Sequence, residues 1–411
     1  MTTNATADRG IVIIGAGLAG ANVISSLREG GYRGPLTLIG NEGHLPYERP
    51  PLSKDVLAGA KSADSVYVHD DAWYADHDVT LFLNDAARRI DRGRREVTLK
   101  SGRVVAYADL VLATGASPRT LPIPGVHLGG VQVLRTIGDS RTLHDAFAAA
   151  KNLVVIGAGW VGLEVAAAAR GAGLNVAVLE YAQVPLQSSM GARLGQHFAD
   201  LHRRHQVDLR TGIGVEAIEG TAGRVTGVRA GGETYPADLV LIGVGASPNA
   251  LLAEEAGLEV DNGIVVDEHL RSSDRRILAV GDVANAYNAG LGARLRVEHW
   301  DNAIRQGKLA GNVLLGGPEC YDWQPYFYSD QFDLGMEYVG RAEPDDEVVI
   351  RGDQASGEFI AFWLREGVLT AAMNVNVWEV SDQLRSLLGH RVDTAQLADP
   401  LVPIVELAGQ G

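Results

Sequence analysis

Two hydrophobic patterns alternate through the first three quarters of the chain. Short uninterrupted apolar runs, such as LTLI at 36–39, LVVI at 153–156 and VAVL at 176–179, have the length of strands buried on both faces of a parallel sheet. The segments 18–29 and 162–171 are rich in small and apolar residues, which is typical of helices that pack on such a sheet. The alternation predicts an α/β fold.

Two later segments complete this pattern. Between residues 297 and 316 apolar and small residues, among them Trp300, Gly307 and Leu314, recur at helical spacing and predict a core-packing helix. From about residue 319 the runs VVIRG, FIAFWL and LTAAMNVNV are separated by turn residues and followed by DQLRSLLG, which predicts strands and hairpins and then a helix. The C-terminal part should therefore form an α+β domain.

The chain contains one long internal repeat. GIVIIGAGLAG at 10–20 returns as NLVVIGAGWVG at 152–162, and DLVLATGASPR at 109–119 is echoed by DLVLIGVGASPN at 238–249. In such a strand–glycine loop–helix unit, the first glycine permits the tight turn, the second lets a pyrophosphate approach the backbone, and the third lets helix and strand pack closely. Two merely structural turns are the alternative. The repeat predicts two Rossmann-like units and two dinucleotide sites.

An acidic residue follows the second glycine loop. Glu180 ends the strand VAVL about twenty residues beyond the loop, where a carboxylate accepts hydrogen bonds from the adenosine ribose hydroxyls. Tyr181, Ala182 and Gln183 follow, so no arginine is at hand for a 2′-phosphate, which favours NADH over NADPH. The first copy has Gly40 at this position, and Glu42 is the candidate acid there; a loop glutamate without a function is the alternative.

Composition and charge narrow the possible partners. A net charge of −15 argues against binding to nucleic acid or to an anionic membrane surface. Cys320 is the single cysteine, which excludes an internal disulfide and a multi-thiolate metal site within one chain; we expect no metal. Residues 1–8 do not resemble a signal peptide and no apolar run is long enough to cross a bilayer, so we expect a cytoplasmic location.

The segment PYERPPLSK at 46–54 follows the first unit's second strand and carries two cations. With the two glycine loops, ATG at 113–115 and ILAVGD at 277–282, it makes the sequence resemble the NADH-dependent ferredoxin reductases of bacterial oxygenase systems. These are flavoproteins of the putidaredoxin reductase type in the glutathione-reductase-like superfamily. The resemblance extends from about residue 10 to residue 408. It implies two Rossmann-like domains that bind FAD and NADH, with a C-terminal α+β interface domain whose opening strand is PYFYSDQFDLGMEYVG at 325–340.

The resemblance also implies the site residues. For FAD these are Gly15, Gly17, Leu18, Ala19, Gly20, Glu42, Arg49, Lys54, Ala113, Thr114, Gly115, Arg119, Arg135, Asp282, His299 and Trp300. For NADH they are Gly157, Gly159, Trp160, Val161, Glu164, Glu180 and Gly245. Lys54 and Glu164 are the expected catalytic residues, as one charge pair beside the flavin's reactive edge. Surface salt bridges for the arginines, a capping aspartate and a plain helix-terminal glutamate are the alternatives. Relatives often have tryptophan where this chain has Tyr328, so contact of that ring with the flavin stays open.

The same comparison predicts the domain boundaries. The FAD-binding domain would be discontinuous, at residues 1–115 and 245–318, with the NADH-binding domain at 116–244 between its halves. The C-terminal interface domain would occupy residues 319–411.

The expected function is transfer of electrons from NADH through FAD to an iron–sulfur ferredoxin that supplies an oxygenase indirectly. Because the chain lacks a thiol relay, electrons would leave singly to a metal centre or directly to oxygen or a small acceptor. Two rivals stay open: a quinone or oxygen reductase, and a redox-signalling protein like apoptosis-inducing factor. We expect a monomer or weak homodimer, and a basic patch of Arg294, Arg296, Arg305 and Lys308 is the candidate docking site, with a solvated helix face as the alternative.

Overall fold

A computed structural model of the chain describes residues 9–407. The ends of the first and last predicted domains, residues 1–8 and 408–411, lie outside the described part, and so does the segment read for a signal peptide. The helices of the described part are α1 (Leu18–Glu29), α2 (Asp71–Asp76), α3 (Ile137–Phe147), α4 (Trp160–Gly171), α5 (Gln187–Arg204), α6 (Leu251–Glu255), α7 (Trp300–Leu314), α8 (Ser381–Leu387) and α9 (Thr394–Ala398).

The strands fall into three groups along the sequence. The first comprises β1 (Gly10–Ile14), β2 (Leu36–Ile39), β3 (Val79–Phe82), β4 (Ala87–Asp91), β5 (Glu96–Leu99), β6 (Val104–Leu112) and β7 (Ala116–Pro118). The second comprises β8 (Val131–Gln132), β9 (Asn152–Ile156), β10 (Asn175–Leu179), β11 (Asp208–Arg210), β12 (Val215–Thr221), β13 (Arg224–Ala230), β14 (Glu233–Pro236), β15 (Leu239–Ile242) and β16 (Ala246–Pro248). The third comprises β17 (Ile264–Val266), β18 (Ile277–Ala279), β19 (Ala284–Asn288), β20 (Ala293–Leu295), β21 (Tyr326–Gln331), β22 (Leu334–Gly340), β23 (Glu347–Asp353), β24 (Glu358–Arg365) and β25 (Val368–Val375).

The first sheet has the order β3-β2-β1-β6-β5-β4, and β18 also pairs with β6. The strands β1, β2, β3, β6 and β18 run parallel to their neighbours among this group, so the late run ILAVGD returns to the sheet that the first glycine loop opens. Every residue of β1 is buried, as its unbroken apolar sequence requires. Helices α1 and α7 pack so closely that position 307 must be glycine. A Cβ on Gly307 would lie only 2.6 Å from the Ala19 carbonyl oxygen.

The second sheet repeats this plan. Its order is β11-β10-β9-β15-β8, all parallel, with Val154 of β9 in register with Ala177 of β10 and Val240 of β15. The strands β12, β13 and β14 form a separate antiparallel sheet. The predicted α/β class with two Rossmann-like units is confirmed.

The C-terminal sheet is antiparallel, in the order β21-β22-β25-β24-β23. Helices α8 and α9 contribute Leu384, Leu387 and Leu397 to the core on one of its faces. The prediction of a single strand over 325–340 is wrong, because the segment forms the hairpin β21–β22. Phe332, at its tip, adopts a φ of 56°, where a bulky side chain gives no sequence signal for a turn.

The chain divides into two compact units. One contains residues 9–48, 64–117 and 246–323, and the other contains residues 49–63, 118–245 and 324–407. This partition differs in kind from the predicted domains, since it groups residues 49–63 and the C-terminal sheet with the second Rossmann-like unit. The predicted domain boundaries stay a prediction.

Candidate functional site

The first glycine loop has the geometry of a pyrophosphate cradle. Gly15 has a φ of 121°, and a Cβ there would lie 2.0 Å from the Ala113 carbonyl oxygen. A Cβ on Gly20 would lie 2.3 Å from the Gly15 carbonyl oxygen, so this glycine lets α1 close onto the turn. Among residues 9–407, no atom lies within 4 Å of a Cβ built on Gly17. Two glycines are therefore needed for packing, while Gly17 leaves the backbone at the N-terminus of α1 open to a ligand.

The second glycine loop reproduces this arrangement. Gly157 has a φ of 101° and packs on the Gly243 carbonyl oxygen, and a Cβ on Gly162 would lie 2.3 Å from the Gly157 carbonyl oxygen. Of the described residues, a Cβ on Gly159 would meet only Gly243, whose carbonyl oxygen would lie 3.9 Å away in an ordinary contact. In both copies the amides of the first helical turn lack partners within the helix, so both loops fit an anionic pyrophosphate.

Neighbouring strand ends complete the first site. Thr114 donates from Oγ1 to the Asn249 carbonyl at 2.8 Å, and Asn249 returns a bond of 2.8 Å from Nδ2 to the Thr114 carbonyl. Gly115, with a φ of 68°, accepts a bond from the Asn249 amide at 2.9 Å. These bonds fix the segment after Ala113 to Asn249, and the Ala113 amide donates to the Ile14 carbonyl at 2.7 Å, next to the first glycine loop.

Asp282 lies close to the start of α1. The preceding Gly281 has a φ of 74°, and its amide donates to Gln306 Oε1 at 2.8 Å. A Cβ on Gly281 would come within 3.2 Å of the Ala19 side chain, so the turn that presents the half-buried Asp282 touches the first helical turn after Leu18. The structure therefore brings Asp282 together with the glycine loop.

Glu42 lies beyond the tip of β2 and is held by the Tyr47 hydroxyl, which donates to Oε2 at 2.6 Å. The absence of an acid at position 40 has a steric cause, because a Cβ on Gly40 would approach the Ala16 side chain to 2.7 Å. The strand tip touches the glycine loop in this copy, which moves the candidate carboxylate two residues onward.

Helix α7 begins as predicted beside two candidate flavin residues. His299 is its N-cap, and its Nδ1 accepts a bond from the Asp301 amide at 3.3 Å. Trp300 is the first helical residue. The positive end of the helix dipole lies at these residues, where negative charge is stabilised.

Glu180 is fixed at the second loop by two backbone amides. Its Oε2 accepts from the Ala158 amide at 2.6 Å and its Oε1 from the Ala182 amide at 2.7 Å. The half-buried carboxylate is thus oriented at the glycine loop by the backbone, and each oxygen keeps a further lone pair for a ribose hydroxyl.

The remaining predicted NADH residues surround this loop. Trp160 packs edge-on against Phe198 and Phe327, with ring centroids 5.5 and 4.9 Å apart, whereas Val161 is exposed. Gly245 accepts at its carbonyl from the Arg119 amide at 2.9 Å, which links a predicted NADH residue to a predicted flavin residue.

Lys54 and Glu164 form the predicted ion pair. Lys54 Nζ lies 3.1 Å from Glu164 Oε1, and the two side chains are 14% and 7% exposed. Glu164 also accepts from Ser53 Oγ at 2.5 Å and from Ser329 Oγ at 2.7 Å. Three donors, the Lys54 amine and two serine hydroxyls, thus surround the buried Glu164 carboxylate and offset the cost of its burial, and the same contact fixes the position of the Lys54 amine.

Arg49 and Arg135, two further predicted flavin residues, are bonded to each other in the compact unit that also contains Lys54 and Glu164. Arg49 precedes the single turn of 3₁₀ helix Pro50–Ser53, and its guanidinium donates to the Arg135 carbonyl. Asp139 accepts from the Arg135 amide at 3.0 Å and caps α3 with Thr136. Like Lys54 and Arg119, these arginines belong to the second compact unit, whereas the other predicted flavin residues belong to the first. Their contact with a flavin stays a prediction.

Two residues that bind Glu164 were not predicted from the sequence, Ser53 and Ser329, whose hydroxyls donate to its carboxylate. The ring of Tyr328, whose contact with the flavin the sequence left open, lies 4.5 Å from Lys54 Nζ in a cation–π contact. The sequence did contain a signal in β21: Ser329 and Gln331 are two positions apart and therefore lie on one face of the strand. The structure shows that this face is buried. Ser53 precedes Lys54 directly and could have been considered with it.

Three of the four basic side chains in the predicted docking patch are bonded to carboxylates or carbonyls of the protein itself. Arg296 pairs with Glu298, and Arg305 pairs with Asp301 at 2.9 Å. Arg294 donates to the carbonyls of Val266 and Asn285. Lys308 is exposed, and its amine has no ion-pair partner among residues 9–407.

Metal-binding clusters and membrane-spanning helices are both absent from the described residues. No group of three or more His, Cys, Asp and Glu side chains within residues 9–407 is arranged to hold a metal ion. Within the same residues, every helix is too short or too polar to span a bilayer.

Comparison with known proteins identifies the family to which this chain belongs. Residues 9–307 match the model of the pyridine nucleotide-disulphide oxidoreductases, and residues 326–408 match the reductase C-terminal domain. The chain is similar to rhodocoxin reductase of Rhodococcus erythropolis, with 40% identity over 89% of this chain and 86% of that protein. It is 37% identical to putidaredoxin reductase CamA of Pseudomonas putida, over 98% of this chain and 97% of that one.

A solved structure gives the same picture. The fold is similar to the reductase in a crystal structure of a covalent putidaredoxin reductase–putidaredoxin complex, with a TM-score of 0.94 and 36% identity. The match covers 97% of this chain and 98% of that one.

Proposed function

The chain belongs to the pyridine nucleotide-disulphide oxidoreductase family, and on that premise we propose that it is an NADH-dependent ferredoxin reductase that feeds an oxygenase. FAD and NAD(H) are the cofactors that this membership implies. The relatives named above are reductases of putidaredoxin and rhodocoxin, and the similarity to them extends over nearly the whole chain.

The observation that carries the proposal is the duplicated glycine loop. Gly17 and Gly159 each leave an open approach to a helix N-terminus, while the glycines on either side are occupied in packing. Two such cradles in one chain suit a flavin dinucleotide and a nicotinamide dinucleotide, which together make up a hydride-transfer pair.

The exit of electrons follows from what the chain lacks. The segment PYERPPLSK at 46–54 contains no cysteine, and Cys320 is the single cysteine of the sequence, so one chain cannot relay electrons through a pair of thiols. The chemistry that FAD supplies when bound is acceptance of a hydride and release of its two electrons one at a time. A one-electron iron–sulfur acceptor is therefore the partner that this chain suits best.

The chain's own residues would bind and tune these groups. The glycine loops would hold the pyrophosphates, and Glu180, already oriented by two amides, would accept bonds from the adenosine ribose of NADH. Lys54, held by Glu164, would present a fixed positive charge that favours electron density arriving on a neighbouring ring system.

Finer properties are part of the same proposal. We infer a preference for NADH over NADPH, because a carboxylate at Glu180 repels a 2′-phosphate. We also infer a cytoplasmic protein, where NADH is available, that acts as a monomer or weak homodimer and serves its oxygenase only through the ferredoxin.

Steady-state reduction of cytochrome c by NADH tests the proposal, with and without putidaredoxin as a probe ferredoxin. We expect the ferredoxin to raise the rate of cytochrome c reduction by about tenfold or more over the rate without ferredoxin. The rate of ferricyanide reduction should not depend on the ferredoxin. Rapid reduction of a quinone or of oxygen, with no stimulation by any ferredoxin of a small panel, would contradict the proposal.

A further inference from the structure

A row of buried polar side chains leads away from Glu164 to helix α5. Ser329 Oγ lies 2.7 Å from Glu164 Oε1, Gln331 Nε2 lies 3.1 Å from Ser329 Oγ, and His202 Nε2 lies 2.9 Å from Gln331 Oε1. Ser329, Gln331 and His202 are each at most 1% exposed. We call these three residues with Glu164 the polar row. It joins α4, the buried face of β21 and α5.

The donors of the polar row all point the same way. An ionised carboxylate only accepts, so the single hydroxyl proton of Ser329 is donated to Glu164. Ser329 Oγ must then accept from the other side, which requires the NH₂ group of Gln331. The amide oxygen of Gln331 consequently faces His202 and must accept from a protonated Nε2. The opposite amide orientation would demand two protons from one hydroxyl group.

The charge state of His202 agrees with this direction. Burial, only partly opposed by the bond to Gln331, lowers the pKa of His202 to about 4. At neutral pH the ring therefore carries one proton, which the polar row places on Nε2. Nδ1 has no hydrogen-bond partner among the described residues. A bare ring nitrogen fits that apolar position better than an unpaired N–H or a charged imidazolium.

We propose that Ser329, Gln331 and His202 are positioning residues of the Lys54–Glu164 pair, supplying a one-way series of donors that fixes Glu164 as an ionised acceptor for Lys54. In this series each bond polarises the next, so the hydroxyl of Ser329 donates more strongly than it would alone. When Gln331 or His202 is lost, the Ser329 hydroxyl is free to rotate away from Glu164. The ion pair between Lys54 and Glu164 then opens more often. The consequence for flavin reduction rests on the proposed function, whereas the consequence for Lys54 does not.

The rate at which an N-hydroxysuccinimide ester acylates Lys54 tests the proposal, measured by peptide mass spectrometry on the purified holoenzyme. Only the unpaired amine reacts, so His202→Leu should raise this rate about three- to tenfold, the value of one hydrogen bond. His202→Gln, which keeps a donor toward Gln331, should restore the parent rate within about twofold. His197→Leu is the matched control, because His197 is a buried histidine of the same helix that packs on Phe359.

Stopped-flow reduction of the flavin by NADH is the second measurement, and His202→Leu should slow it by a similar factor. Unchanged acylation in His202→Leu, or an equal increase in His197→Leu, would overturn the proposal. If His202→Leu does not fold, Gln331→Met removes the same donor series and carries the same expectation. If NADH does not reduce the parent's flavin, the proposed function fails, but the acylation rates still decide whether the polar row positions Lys54.

Discussion

Replacing Gly159 by alanine should weaken NADH binding without weakening the fold. Gly159 has φ −80° and ψ 178°, which alanine adopts without strain, and a new Cβ would lie 3.9 Å from the Gly243 carbonyl oxygen, its one neighbour within 4 Å in the described part of the chain. Alanine is a slightly poorer N-cap than glycine but restricts the unfolded chain, so the free energy of unfolding should change by less than about 1 kcal/mol. The methyl group would instead occupy the approach that a pyrophosphate needs.

The size of the binding effect follows from overpacking. A methyl group forced into a filled contact costs about 1–3 kcal/mol, which corresponds to a roughly 5- to 150-fold rise in the dissociation constant. We expect this rise for NADH, measured by the concentration dependence of flavin reduction in stopped flow, with FAD content unchanged. Reduced nicotinamide mononucleotide lacks the pyrophosphate and should be affected much less.

Gly162→Ala is the matched contrast. Its Cβ would lie 2.3 Å from the Gly157 carbonyl oxygen, so this variant should lose folding stability by about 1–3 kcal/mol or more, seen in chemical denaturation. Normal NADH binding by Gly159→Ala, or a loss of stability equal to that of Gly162→Ala, would refute the assignment of Gly159 to the ligand approach.

Three further predictions address charge. Glu180→Gln should lower kcat/KM for NADH about 10- to 100-fold and narrow the preference over NADPH, because charge-assisted bonds to the ribose are lost; an unchanged NADH/NADPH ratio would contradict this. The depressed pKa of His202 means that the unfolded chain binds the proton more tightly, so this group should lower stability by about 3 kcal/mol as pH drops from 6.5 to 4. His202→Gln should lose this share of the pH dependence in urea unfolding and keep the share of His197, whose pKa is also lowered by burial. Lys308→Glu should slow ferredoxin-dependent cytochrome c reduction about three- to tenfold at low salt, more than Arg305→Glu, whose charge Asp301 already offsets. Equal loss of ferricyanide reduction in Lys308→Glu would implicate the flavin site instead of docking.

The sequence predicted the elements whose signals are local. Helix α1 and strand β2 lie at the predicted residues, because an unbroken apolar run and a glycine turn identify them without reference to the rest of the chain. The ion pair of Lys54 and Glu164 was predicted only through the family resemblance, since the two residues are 110 positions apart and nothing in either segment specifies the other.

The missed features have physical causes as well. Helix α5 interleaves its core residues, such as Leu194 and Phe198, with many polar ones, so its apolar stripe is narrow. The hairpin tip at Phe332 uses a left-handed conformation without glycine or asparagine. Ser329 escaped because it stands in the polar run Ser-Asp-Gln at 329–331, which suggests a solvent-facing turn, and its partner Glu164 lies 165 positions away.

The most direct test of the central claim is an anaerobic titration of oxidised ferredoxin against NADH with a catalytic amount of the protein. If a two-electron donor is coupled to a one-electron acceptor through bound FAD, each NADH consumed should reduce about two ferredoxin molecules, followed by the absorbance of the iron–sulfur cluster. The account would be contradicted if fewer than about one ferredoxin molecule were reduced for each NADH oxidised. In that case the missing electrons would be found in an added quinone, or in oxygen after air is admitted.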